Sequence, residues 1–273
     1  MAVLSGVIRV MEKAARKAGG RLRRDFGEVE HLQVSHKGPA DFVSKADRIA
    51  ERTIYDELLA ARPEWGFVME EAGVIEGDEN KPRWIVDPLD GTSNFLHGIP
   101  HFAISIAVQE PKLGGGGWGD VTAAVVYNPV TDETFWAEKS RGAWLHDGRL
   151  RVSARRSLSE ALIATGIPFQ GHGNFGEWTK IFGAIGPQVA GIRRYGAASL
   201  DLAWLAAGRF DGFWESDLND WDTAAGCLIV REAGGFVSDF RGRSEPIHAT
   251  QVLAANDTLH SKLHKLLVNA LKA

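Results

Sequence analysis

The chain has 273 residues, 31 lysines and arginines against 35 aspartates and glutamates, and a net charge of −4, which argues against a general nucleic-acid-binding role. With 44% hydrophobic and 24% charged residues it reads as a soluble globular protein, long enough to bury a core in one large domain or two packed halves. Its single cysteine, Cys227, excludes an internal disulfide and reads as buried packing.

Arg9 and Lys13 interrupt the apolar residues at the start, so a signal peptide is not expected. No segment reaches membrane-spanning length, and the expected location is cytoplasmic. The first element reads as a long amphipathic helix, with Val3, Leu4, Val7, Ile8, Met11, Ala14, Ala15, Ala18 and Leu22 at helical spacing. Gly19-Gly20 weakens its later part, and Arg21, Arg23 and Arg24 form a solvated basic end. A second helix follows Ser44, carries Ile49, Ala50, Ile54, Leu58 and Leu59 on one face, and stops at Pro63.

From 67 to 150 the pattern is strand-like. Residues 102–108 and 121–127 are β-rich, 133–137 alternate, and Asp147-Gly148 is a hairpin signal. The run 114–117 of glycines lacks the lysine and hydroxyl of a Walker loop and reads as a hairpin connection. An antiparallel sheet flanked by two helices is predicted. Arg151, Arg155 and Arg156 mark a crossover near 150–158. Helical patterns at 175–185, 198–207 and 223–233 then alternate with strands at 162–165, 212–214 and 236–237. Asn256 or Asp257 caps a last helix carrying Leu259, Leu263, Leu266 and Leu267. Helix pair, sheet, helices, sheet, helix is an order of stacked layers.

The most informative stretch is Trp84-Ile85-Val86-Asp87-Pro88-Leu89-Asp90-Gly91-Thr92-Ser93-Asn94-Phe95. Its apolar triplet reads as the end of a buried strand, which Pro88 stops. Asp87, Asp90 and the Leu89 carbonyl are hard oxygen donors of the kind Mg²⁺ takes. Gly91, Thr92 and Ser93 offer backbone N–H groups and hydroxyls to a phosphate. Asp-Pro and Asp-Gly are also turn formers, and two aspartates alone leave both readings open. Two distant segments bear on the choice. Glu70-Glu71 follows the apolar run Phe67-Val68-Met69, and Asp222 opens a small-residue helix in Trp221-Asp222-Thr223-Ala224-Ala225-Gly226.

Together these blocks resemble the inositol monophosphatase family of Mg²⁺-dependent, lithium-sensitive sugar phosphatases, over nearly the whole chain. Lys37-Gly38-Pro39-Ala40-Asp41-Phe42-Val43, followed by Ala46-Asp47, is similar to that family's N-terminal loop. The resemblance implies a mixed α/β (α+β) fold, a layered α-β-α-β-α sandwich of the inositol monophosphatase and fructose-1,6-bisphosphatase type. It is expected to be a single domain over 1–273 with two packed halves, roughly 1–150 and 151–273.

Carried over residue by residue, the resemblance implies metal ligands at Glu70, Asp87, the Leu89 carbonyl, Asp90 and Asp222. It implies catalytic roles for Glu70, Thr92 and Asp90, phosphate contacts from Gly91, Thr92 and Ser93, and substrate contacts from Glu215, Gly196 and Ala198. Ser93 stands where many members have threonine. Lys37 is read as closing over the site, and Asp47 either as a helix cap or as support for the metal shell. His97 and His101 are not expected to hold zinc, because oxygen donors dominate. Trp84 and Trp221 are expected to pack behind the ligands.

The implied activity is hydrolysis of inositol 1-phosphate or a similar small polyol phosphate, with about two or three Mg²⁺ ions and in-line attack by water; Li⁺ would inhibit. The Asp-x-x-Asp spacing departs from the Asp-x-Asp of phosphatases with an aspartyl nucleophile. A rival is histidinol-phosphate hydrolysis, since the acidic Asp217 and Asp220 suit a cationic amine. The family also implies a homodimer, and some bacterial members imply a non-catalytic contact with RNA polymerase or a transcription factor, for which Arg193-Arg194 is a basic candidate spot. Neither a membrane nor direct nucleic-acid binding is expected.

Overall fold

Ser5 starts the first helix by accepting a hydrogen bond from the Ile8 amide at 3.2 Å. Helix α1 (Gly6–Phe26) buries Ile8, Met11, Ala14, Ala15, Ala18 and Leu22 on one face. Gly19 is a packing position rather than a weak point: a Cβ there would meet Tyr127 at 2.6 Å. The computed structural model describes residues 4–26, 34–38, 41–112, 114, 116–169, 171–244 and 250–273, with backbone alone for 34–38 and 41–44. Strands β1 (Val34–Gly38) and β2 (Asp41–Ser44) form an antiparallel pair where the sequence suggested a loop. Lys37 lies in β1 by its backbone, and its side chain, like that of Asp41, falls outside the described residues. Helix α2 (Lys45–Ala61) ends just ahead of Pro63.

The first sheet comprises β3 (Gly66–Met69), β4 (Gly73–Ile75), β5 (Arg83–Asp90), β6 (Ala103–Pro111), β7 (Trp118–Asn128), β8 (Glu133–Glu138), β9 (Gly142–Leu145) and β10 (Gly148–Arg149). Their order is β10-β9-β8-β7-β6-β5-β3-β4. The sheet is mixed and not wholly antiparallel, because β3 and β5 run parallel with Met69 opposite Val86. That pairing brings Glu70 and Asp87, each the next residue of its chain, to the same end of the sheet. Pro88 does not stop β5 as its sequence suggests. The strand runs on to Asp90, and its pairing with β6 shifts between Asp87 and Asp90. A proline without an N–H is accommodated at such an irregularity, which also re-aims the neighbouring side chains.

The second sheet has the order β12-β11-β13-β15-β14, from β11 (Leu162–Thr165), β12 (Gly191–Arg193), β13 (Gly212–Ser216), β14 (Phe236–Ser238) and β15 (Gln251–Ala255). Helices α5 (Ala198–Ala206) and α6 (Asp220–Glu232) lie between the sheets and share one core with both. Being covered on both sides, α5 is buried along almost its whole length and shows no amphipathic stripe. Each large aliphatic side chain buried there contributes about 1.5–3 kcal/mol. Helices α1 and α2 cover the outer face of the first sheet. Helices α4 (Phe175–Ile185) and α7 (Asp257–Lys272) cover the outer face of the second, with the Asn256 side chain capping α7. The result is an α-β-α-β-α sandwich.

Candidate active site

The Asp87–Asp90 corner is held by its own backbone. The Leu89 amide donates to Asp87 Oδ1 at 2.9 Å, and the Thr92 hydroxyl donates to the Leu89 carbonyl at 2.9 Å. Gly91 turns the chain with φ of 90°, and a Cβ there would strike the His101 carbonyl at 3.0 Å, so only glycine fits. The one-and-a-half-turn helix α3 (Thr92–Leu96) follows at once. The Phe95 amide donates to the Gly91 carbonyl at 3.0 Å, and the amides of a helix's first turn have no partner within the helix.

Across the crevice, the start of α5 meets this corner. Both the Ser199 amide (2.7 Å) and its hydroxyl (2.5 Å) donate to Asp90 Oδ2. Asp222, in the first turn of α6, accepts from the Asn219 amide at 2.7 Å. Oxygen atoms of Asp87, Asp90 and Asp222 lie within 4.8 Å of one another, as do those of Asp47, Glu70 and Glu71. Thr92 stands between the two groups, its hydroxyl 3.5 Å from Asp47 Oδ2.

Burial pushes the Asp87 carboxyl well above the usual range, reinforced by the charges of Glu70, Asp90, Asp222 and Asp47. Asp90 is raised by burial against the opposing donations from Ser199. Asp222 is pushed up to about 8 by burial and by Asp90 and Glu70. Glu215 is raised well above its usual value by burial, then by Asp201, Asp90 and Asp222. Among the described residues no lysine or arginine pairs with Asp87, Asp90 or Asp222. Such mutually repelling hard oxygens fit a divalent cation, which would relieve the repulsion.

The crevice holds about 240 Å³ and is lined by Glu70, Asp90, Gly91, Thr92, Ser93, Gly196, Ala198, Glu215 and Asp222 among others. Asp87 and Leu89 lie behind that surface, 2% and 0% exposed. Trp84 is buried behind them against Trp65, but Trp221 lines the crevice instead of backing it. Several lining residues escaped the sequence reading. Arg194, read as a surface spot, faces the crevice, where its charge acts on Glu215. Gly166 and Trp178 form a wall, with the Trp178 indole donating to the Gly166 carbonyl at 2.7 Å. Only the position of Gly166, directly after a strand, hinted at this.

Of the acidic residues proposed for a cationic substrate, Asp217 does line the crevice, whereas Asp220 does not. Asp217 accepts from the Gly173 amide at 2.6 Å, and Asp220 acts on Arg83. His101 is buried and its Nε2 lies 2.9 Å from Asp201 Oδ1, while His97 is exposed. Cys227 is buried packing, its thiol pushed up to about 12 by burial.

Fold and site thus define a layered α-β-α-β-α protein with the Asp87, Asp90 and Asp222 carboxylates and Glu70 gathered at one crevice. The chain belongs to the inositol monophosphatase family, which it matches over residues 4–273. It is 53% identical to the inositol-1-monophosphatase of Rhizobium meliloti, with 96% of each chain covered. It is 45% identical to the Nus factor SuhB of Pseudomonas aeruginosa, covering 92% of this chain and 91% of that one. The extragenic suppressor protein suhB of Bartonella henselae superposes with a TM-score of 0.91 at 51% identity, covering 96% and 98% of the two chains.

Proposed function

We propose that this protein is a Mg²⁺-dependent, Li⁺-sensitive phosphomonoesterase that hydrolyses inositol 1-phosphate or a similar small polyol phosphate. The observation that carries this reading is the convergence of Asp87, Asp90 and Asp222 beside the Gly91–Ser93 backbone, in a crevice of about 240 Å³. That volume suits a compact polyol better than a drug-sized ligand. Similarity to the Rhizobium meliloti inositol-1-monophosphatase supports it.

When bound, about two or three Mg²⁺ ions held by Glu70, Asp87, the Leu89 carbonyl, Asp90 and Asp222 would neutralise phosphate charge, acidify water and stabilise the leaving oxygen. The chain itself does the positioning. Gly91, Thr92 and Ser93 present backbone donors to the phosphate oxygens. Glu70 and the Thr92 hydroxyl orient the attacking water opposite the leaving alcohol, and Glu215 accepts hydrogen bonds from substrate hydroxyls. No side chain is needed as a nucleophile. The histidinol phosphate alternative loses Asp220, whose charge acts on Arg83, and keeps Asp217 on the crevice wall.

A second reading, contact with the transcription machinery, is favoured by the similarity to the Pseudomonas aeruginosa Nus factor. It predicts that RNA polymerase or an associated factor is still captured by the Asp90→Asn protein. We further read the chain as one domain with packed halves 1–150 and 151–273, since α5, α6 and both sheets share a core, and as a cytoplasmic homodimer. Among the described residues no helix is long and apolar enough to cross a membrane.

The direct test is phosphate release from inositol 1-phosphate, histidinol phosphate and fructose 1,6-bisphosphate, with Mg²⁺ and with or without Li⁺. Lithium-inhibited turnover of inositol 1-phosphate is expected. A preference for histidinol phosphate, or folded protein inert on all three, would overturn the proposal.

A further inference from the structure

In each member of the Asp87, Asp90 and Asp222 group, one carboxylate oxygen is already committed to a donor of the protein itself. Asp87 Oδ1 takes the Leu89 amide at 2.9 Å. Asp222 Oδ2 takes the Asn219 amide at 2.7 Å. Asp90 Oδ2 takes two donors from one residue, the Ser199 amide at 2.7 Å and the Ser199 hydroxyl at 2.5 Å. An oxygen that takes one donor keeps a lone pair for a metal, but Asp90 Oδ2, which takes two short ones, is a poor second arm of a chelate. Asp90 is therefore set to offer one oxygen to a cation. Ca²⁺ takes six to eight oxygens in flexible geometry and readily uses bidentate carboxylates, whereas Mg²⁺ demands a tight octahedron of single oxygens.

We propose that Ser199 is a selectivity-determining residue: by occupying Asp90 Oδ2 it holds Asp90 as a one-oxygen ligand and so discriminates against Ca²⁺ in favour of smaller divalent cations. The inference rests on the metal-dependent reading above. Ser199 touches no ion itself; it acts through Asp90 as a positioning residue. It is fully buried, at 0% exposure, in the first turn of α5, and its backbone amide serves the same oxygen. The hydroxyl can thus be removed while the backbone donor stays. Neighbouring bonds hold the whole turn in place. The Asn94 side-chain amide donates to the His101 and Tyr195 carbonyls, both at 2.7 Å, and His101 meets Asp201 one turn-face away. This bracket fixes the register of α5 against the metal corner, so a change at residue 199 reads out the hydroxyl.

The test is calorimetric titration of the full-length, metal-stripped protein with Mg²⁺, Mn²⁺ and Ca²⁺, for wild type, Ser199→Ala and Ser199→Thr. The ratio of Ca²⁺ to Mg²⁺ affinity should rise about tenfold in Ser199→Ala, the scale of outer-shell effects on metal binding, and return toward wild type in Ser199→Thr. Circular dichroism of each metal-free variant checks that the fold is kept. An unchanged ratio, or an equal loss for both cations, in a folded Ser199→Ala protein would overturn the assignment of selectivity while leaving the proposed function standing. Wild-type protein that takes up none of the three cations would overturn the metal-dependent reading and this inference with it.

Discussion

The carboxylate of Glu215 lies directly over the bare α-carbon of Gly166, where a Cβ would come within 1.8 Å of Glu215 Oε1. Glycine at 166 is thus a condition for the place Glu215 takes in the crevice. Gly166→Ala should displace that carboxylate by an ångström or more and lower kcat/KM for inositol 1-phosphate about a hundredfold. Steady-state kinetics beside Glu215→Ala would check this: the double variant should be no worse than the worse single one. Independent, additive losses would detach Gly166 from Glu215.

Asp90→Asn and Asp222→Asn keep the shape of the corner but remove charge where cation and substrate meet. Each should lower kcat by at least 10²–10³-fold, on the order of 3–4 kcal/mol. Activity within tenfold of wild type in both would be incompatible with the ligand roles proposed.

The raised carboxyls make metal-free stability depend on pH in a defined direction. Asp222 sits at about 8 in the folded chain, against about 4 when unfolded. The unfolded chain sheds its proton first, so stability is full below about pH 4 and is lost as pH rises toward 8. Asp87 and Glu215, raised by burial, act in the same sense. A bound divalent cation must displace those protons, so its stabilising effect should grow across the same interval. Melting temperatures with EDTA and with Mg²⁺, from pH 5 to pH 9, should diverge with increasing pH; parallel curves would contradict the charge state described.

His101 works in the opposite direction. Burial lowers its pKa from 6.5 to about 4, so its contribution is full above about 6.5 and is lost as pH falls toward 4. Replacing it with phenylalanine removes the bond to the buried Asp201 and should cost about 1–3 kcal/mol near neutrality. Urea unfolding should show that gap narrowing at pH 5.

Asp217 lines the crevice but holds the Gly173 amide through Oδ2, and neutralising it is expected to change little in the choice between neutral and cationic substrates. Relative turnover of inositol 1-phosphate and histidinol phosphate should stay within about threefold in Asp217→Asn, less than 1 kcal/mol. A large swing toward either ester would return Asp217 to the list of substrate contacts.

Layer order and the carboxylate corner were legible because each leaves a local signature. Helix spacing marks α1 and α2, and the density of oxygen donors from Asp87 to Ser93 stands out against its apolar flank. What stayed hidden depends on partners remote in sequence. The parallel pairing of β3 with β5 is invisible in either strand, because a parallel neighbour changes no residue pattern that an antiparallel one would not also allow. Ser199 falls unremarked within the helical pattern at 198–207; its meaning comes from Asp90, 109 positions away. The short edge strand β12 has too few residues to show alternation, and β15 reads as an apolar run without a period.

Asp222 caps the helix that it also lends to the crevice. Its carboxylate closes the first turn of α6 through the Asn219 amide, and α6 runs on between the two sheets with Thr223 to Val230 buried. Fraying that turn and dismantling the corner are therefore one event. The mouth of the crevice is wired into the middle layer, because an ion arriving at or leaving Asp222 acts on the first turn of a helix buried between the two sheets.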